Sequence, residues 1–226
     1  MRRLLSRFQS HGFQADLNRA VVIRGKGAQP RVVLLGRLSL YGPGAARLHE
    51  EIIPVTALWS EADRPKKPLK PLGERGEDTT LEQLEEAIRD ARPVPATVTA
   101  RVTLLAKQDV ADLRAELERR AASQIEHIAK ELAKRGETEA ASLQKLLEAQ
   151  RARIGKARDT GNPDQYELFN EDERRQLEAN RRHWSLRLER LQQELRDEPA
   201  RVRQSYEVRA HRLEPIGLVY LWPASG

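Results

Sequence analysis

The sequence predicts an α+β fold: a small antiparallel β-sheet carrying a long antiparallel α-helical coiled-coil hairpin. Three observations carry this. Leu177, Trp184, Leu188, Leu191, Leu195 and Val202 are spaced by seven, four, three, four and seven residues, one heptad seam with Arg181 and Glu198 as polar members. A seam on one helix has nothing to bury against alone, and a second apolar series upstream, from Val110 to Ile154, supplies the partner. Downstream, Ile216 to Trp222 is short, β-rich and uncharged, so it reads as a buried strand returning to a sheet.

Taken in order, the chain opens with Leu4, Leu5, Phe8 and Phe13, the pattern of a short helix over residues 1–17. Ala20–Arg24 and Arg31–Leu40 read as strands separated by the turn Gly25-Lys26-Gly27-Ala28-Gln29-Pro30. Leu48–Trp59 reads as a third strand, antiparallel to the second, with Pro54 indicating an edge or a bulge. Together residues 1–59 form an N-terminal β region. Residues 60–78 read as a basic, Pro-rich linker whose composition buries no core.

Short helices are expected over 79–107. Thr79 or Thr80 is the candidate N-cap, followed by Glu82 and Gln83, and Pro93 and Pro95 stop that helix. Ala96–Leu105 fits either period; helix is favoured, with Asp109 as a fresh N-cap beyond it. The hairpin arm then covers 108–209, with its tip at 159–170. Val110–Lys156 and Glu171–Arg209 span about 70 and about 60 Å as helices, matching as two limbs. Gly136 is either tolerated, at about 1 kcal/mol relative to Ala, or a C-cap that splits the outgoing limb; the matched lengths favour one limb. Glu198-Pro199 is expected to kink the returning limb. Residues 210–226 hold the strand that rejoins the sheet.

Composition narrows function. The chain is 39% hydrophobic and 33% charged, which suits helical surface over core. It contains no cysteine, which excludes disulfides and thiolate metal sites. No apolar run is long enough to cross a membrane, and the basic start lacks a secretory apolar stretch and cleavage site, so a cytoplasmic location is expected. The net charge of +6 is uneven: residues 1–50 hold nine Lys/Arg against two Asp/Glu. That local excess suits phosphate contact, and equally a soluble surface. Arg24, Lys26, Arg31, Arg37 and Arg47 are the candidate phosphate contacts there, with Lys66, Lys67 and Lys70 in the linker.

No stretch carries the spacing of a catalytic motif. Gly25-Lys26-Gly27 lacks the spacing of a phosphate-cradling loop. Asp197-Glu198-Pro199-Ala200 is an acidic run on a charged helix, read as solvated surface. His11, His49, His127, His183 and His211 are scattered; His49-Glu50-Glu51 on a strand puts Glu50 on the opposite face from the other two. No metal, cofactor or catalytic residue is assigned. Trp184 lies on the seam and is read as packing. Tyr166, Leu168 and Phe169, in the tip, either staple the loop to the hairpin or present an apolar patch to a partner.

Three stretches carry a family resemblance: Pro30–Gly42 with Ala45–Trp59 (PRVVLLGRLSLYG, AARLHEEIIPVTALW), Tyr166–Leu195 (YELFNEDERRQLEANRRHWSLRLERLQQEL) and Glu198–Pro223 (EPARVRQSYEVRAHRLEPIGLVYLWP). They resemble the C-terminal region of the Snf2-like helicase subunit of DISARM, a bacterial anti-phage defence system. The resemblance spans roughly residues 20 to 223. It implies a helicase-associated domain that follows the two RecA-like lobes of a DNA translocase, and the start at residues 1–18 fits a boundary just after such a lobe. None of the ATPase motifs is present in this chain, so no ATP site carries over. The partners implied are a helicase core in cis or in trans, double-stranded DNA and other defence subunits, with no membrane. A coiled-coil scaffolding module with no nucleic-acid role is the alternative.

Overall fold

A computed structural model of the chain describes residues 20–62, 64, 67–90, 94–159 and 171–223. The expected helix over 1–17 lies outside them. Four strands are present: β1 (Ala20–Gly25), β2 (Arg31–Tyr41), β3 (Arg47–Leu58) and β4 (Ala210–Pro223). Three α-helices accompany them: α1 (Glu74–Asp90), α2 (Ala96–Asp159) and α3 (Glu171–Ser205). The chain divides into two compact units. Met1–Tyr41, Arg47–His127 and Arg209–Gly226 form the first; Gly42–Ala46 and Ile128–Val208 form the second.

The first unit is α+β, as expected, but its sheet is mixed rather than antiparallel. The strand order is β1-β4-β2-β3. β4 runs antiparallel to β2 and parallel to β1, with Ala20 opposite Leu218 and Gly25 opposite Pro223. The reason lies in β4, whose apolar run needs neighbours on both sides. It enters between β1 and β2 and separates the strands that the Gly25–Pro30 turn joins. Among the four strands β3 pairs with β2 alone, which places Pro54 on an edge strand, as its missing N–H requires. Between Leu35 and Gly36 the register slips, so Ile216 is the extra residue of a bulge beside Pro215.

Helices cover both faces of this sheet. α1 lays Leu81, Leu84 and Ala87 onto Val33, Leu35, Ile52, Ile216 and Leu221. Those three helical residues share one face, the stripe of an amphipathic helix. The alternate residues of β2 face the other way, and Val32, Leu34, Leu38 and Leu40 are all fully buried. There the first half of α2 packs, burying Val98, Val102, Leu113, Leu117 and Ala121. Gly36 marks the closest approach: a Cβ on it would lie 2.6 Å from Leu117 Cδ1.

Several boundaries differ from the sequence reading. α1 begins at Glu74, inside the segment read as linker. Thr79 and Thr80 are therefore not N-caps; their hydroxyls donate back to the carbonyls of Arg75 and Gly76, four residues earlier. The segment before α1 also contributes to the core through Leu69, and Pro71 bridges to Ala57. Asp109 starts no helix. α2 is continuous over 64 residues, and Asp109 lies fully buried within it.

At the β3 edge, Arg120 of α2 donates to the Pro54 carbonyl at 2.8 Å and to both Glu77 oxygens of α1 at 2.7 and 2.6 Å. It thereby ties the two covering helices across the open side of the sheet. Glu116 accepts from Arg119 and Arg120, and this pairing holds its carboxyl down at about 2.

In the second unit, Leu147 and Ile154 of α2 pack with Leu191 of α3, joined by Leu143, Trp184, Leu188 and Leu195. α2 passes through Gly136 without a break. A Cβ there would lie 3.1 Å from Tyr206 Cβ, so the glycine gives the ring room against the helix. α3 likewise continues through the buried Pro199.

Two predictions follow from these contacts. Gly36→Ala should destabilise the fold by about 1–3 kcal/mol, because the new methyl meets a packed leucine; the urea midpoint measures it. Glu116 is bound ionised more strongly in the folded chain than its ordinary value of 4.5 allows in the unfolded one. Its contribution is thus complete above pH 4.5 and drains away as the pH falls toward about 2. Urea midpoints of wild type and Glu116→Gln should differ most near neutrality and converge in acid.

Candidate functional site

The most concentrated chemistry in the first unit is a buried polar centre around Asp109. Trp59, just beyond β3, donates its Nε1–H to Asp109 Oδ2 at 2.9 Å. Tyr220, near the end of β4, donates its hydroxyl to the same oxygen at 2.5 Å. Arg64, 1% exposed, forms an ion pair with Asp109 Oδ1. The same guanidinium reaches Asp112 Oδ2 at 2.8 Å and the Lys67 carbonyl at 3.0 Å. Asp112 in turn accepts from the Leu69 amide at 3.0 Å. The ring of Trp59 meets Tyr220 and Trp222 edge-on, with centroids 6.0 and 5.7 Å away.

This arrangement is closed. Asp109 takes two neutral donors on Oδ2 and a guanidinium beside Oδ1, and it is fully buried, so its carboxylate faces only these internal partners. Burial, and then the hydrogen bond to Asp109, push the Tyr220 phenol well above its ordinary value. The hydroxyl stays protonated and donating. The centre joins a helix, two strand ends and a loop, and its chemistry is that of a clamp. The sequence reading missed it, although a signal was available. Val102, Asp109, Leu113 and Leu117 occupy one helical face, and an acid among apolar positions on such a face must carry a partner inside.

The basic residues proposed as phosphate contacts do not share one face. Arg31 and Arg37 of β2 point to the side that α1 covers, while Arg24, opposite Trp222, points to the other. Most are already held. Arg31 donates to Thr80 Oγ1 at 2.6 Å and to the Gly76 carbonyl at 3.3 Å, anchoring α1. Arg37 pairs with Glu214 at 2.8 Å, Arg47 with Glu50 at 2.8 Å and Lys26 with Glu86 at 3.2 Å. The hydrogen bond to Glu214 raises the Arg37 guanidinium further, and the same contact lowers the Glu214 carboxyl. Lys67 and Lys70 are exposed. Lys66, and the tip residues Tyr166, Leu168 and Phe169, lie outside the described residues.

No family model, curated protein or solved structure matches this chain. What it does is therefore argued from its geometry. Among the described residues no three of His, Asp or Glu converge as metal ligands. His49 and Glu51 share a face, with Nε2 3.6 Å from Oε2. His183 stacks edge-on against Trp184 at 5.3 Å. Among the described residues no helix is long and apolar enough to cross a membrane.

The second unit carries the other concentrated set of contacts. Tyr206 donates its hydroxyl to Glu139 at 2.6 Å, and Arg135 sits over its ring at 5.6 Å. Arg203 donates to both Glu137 oxygens at 3.0 and 2.9 Å. The apolar cluster lies later in α2 and earlier in α3, with Trp184 packed against it. Leu146 and Leu186 are left exposed, at 68% and 53%.

Removing the buried carboxylate tests the clamp. Asp109→Ala leaves Arg64 without its main partner and Trp59 and Tyr220 without an acceptor, and should cost about 3–5 kcal/mol in urea denaturation. Tyr220→Phe deletes one donor to a charged group and should cost less, about 1.5–3 kcal/mol.

Proposed function

We propose that the chain is an accessory, non-catalytic interaction module of a Snf2-like DNA translocase in anti-phage defence, acting through a helical arm that holds a partner subunit. The observation that supports this best is in the second unit. Its helices bury one seam in each other, yet Leu146 and Leu186 remain exposed. These two exposed leucines are the side chains we assign to partner contact.

We read this unit as an antiparallel coiled-coil hairpin. Glu137 meets Arg203 and Gly136 meets Tyr206, while Leu147 and Ile154, further on, pack with Leu191, which lies earlier in α3. Rising numbers in one helix thus meet falling numbers in the other. The translocase setting comes from the family resemblance alone. It names the helicase core as the partner, in cis or in trans, with other defence subunits alongside.

Direct contact with double-stranded DNA is the second reading. The side chains of Lys26 and Arg47 are 75% and 61% exposed, and Lys67 and Lys70 are exposed too. They would act as scattered phosphate contacts rather than as one face.

The test is retention of the motor lobes of a Snf2-like translocase of this type by the immobilised chain. Leu146→Glu with Leu186→Glu should reduce retention by about tenfold or more, as charge at a contact centre does, while circular dichroism stays unchanged. Undiminished retention would remove the arm from the account. In parallel, Lys26→Glu with Lys70→Glu should leave binding of duplex DNA unaltered. A fall in the salt slope of about two would instead establish the DNA reading.

A further inference from the structure

Beside the buried Asp109 centre, the first unit holds a pocket of about 560 Å³. That volume falls among those of small-molecule sites, about 300–1,000 Å³. The pocket lies where the turn before β2 meets the end of β3 and the loop that follows. Pro30, Leu58, Trp59 and Pro68 give it apolar walls, and Leu58 is left 45% exposed there.

Arg64 lines this pocket although it is only 1% exposed. Its Nη1 donates to the Lys67 carbonyl and pairs with Asp112, and its Nη2 pairs with Asp109. Its Nε is buried as well and has no hydrogen-bond partner. A buried N–H without an acceptor is costly, and a ligand oxygen placed on it removes that cost. Asp109 and Asp112 balance the charge of Arg64, and neither lines the pocket. The cations at the mouth are the exposed Lys67 and Lys70. The one acid of the lining, Glu61, is paired with Arg101 at 3.2 Å.

We propose that this pocket binds a phosphate monoester with an apolar body. The phosphate meets Arg64 Nε and the Lys70 ammonium, and the body lies against Leu58 and Pro68. A carboxylate fits less well. It is matched by the two parallel donors of an open guanidinium fork, and here both Nη nitrogens are engaged. A phosphate accepts from scattered directions and suits one N–H beside an ammonium. This site is separate from the arm and does not depend on the reading given for it.

The three tryptophans make the test local. Phenyl phosphate is titrated into the full-length chain labelled with nitrogen-15, and the indole N–H signals are followed. The Trp59 signal should shift saturably, while that of Trp184, which packs in the second unit, stays in place. Phenyl phosphate should bind about tenfold more tightly than inorganic phosphate, because its ring covers apolar wall. Leu58→Asn should erase that advantage. Lys70→Gln, at an exposed position outside the Asp109 clamp, should weaken binding by about tenfold, the loss of one hydrogen bond to a charged group. A Trp59 signal that stays in place at every soluble concentration of phenyl phosphate overturns the proposal. So does binding that Lys70→Gln leaves unchanged, or benzoate binding more tightly than phenyl phosphate.

Discussion

The ion pair between Arg64 and Asp109 is the constraint on which the rest of the first unit depends. Moving a carboxylate and a guanidinium out of water costs several kcal/mol per ion, and only good geometry with further hydrogen bonds offsets that. The surroundings are consistent with this demand. Trp59 and Tyr220 supply donors to Asp109; Asp112 and the Lys67 carbonyl both meet the Arg64 Nη1, and the Leu69 amide holds Asp112. The partners come from α2, the end of β3, β4 and the loop before α1. The network thus sets where α2 lies along the sheet, where β3 hands over to the loop and how β4 is registered. Apolar packing alone would tolerate sliding by a turn; a directional pair between buried charges does not.

That constraint also explains what the sequence revealed and what it hid. The strands were legible because Val32–Leu35 and Ile216–Trp222 are runs that only a buried sheet accommodates. The long helices were legible from spacing. The strand order was not, because it depends on where β4 inserts, and β4 is separated from β2 by the whole helical excursion. Burial of Arg64 was hidden for a related reason. In sequence it is one cation among prolines and lysines, and its partners Asp109 and Asp112 lie some 45 residues on. The α1 boundary was missed because a threonine hydroxyl caps a helix start and bonds an interior carbonyl equally well.

Counting positive charge along the first fifty residues pointed to a binding face, and strand geometry distributes that charge over both faces of the sheet. Side chains on a strand alternate, so Arg24 projects away from Arg31 and Arg37 although all three belong to one sheet. Pairing removes more. Glu214 arrives on β4 and Thr80 and Glu86 on α1, all distant in sequence. A basic excess therefore describes the charge that the fold has to place, and in this unit much of it is placed on the protein's own acids.

The second unit follows a different logic. A two-helix seam buries less apolar surface than a sheet between two helical layers, so its order leans on the contacts at the Glu137–Tyr206 end. Gly136 is central to them. A side chain there would press on Tyr206, whose hydroxyl meets Glu139 and whose ring face meets Arg135. The glycine that looked like a break is the position that lets α3 close on an unbroken α2. With the seam and this end both satisfied internally, the leucines left outside serve neither. Leu146 and Leu186 stand outside the cluster that α2 and α3 bury between them.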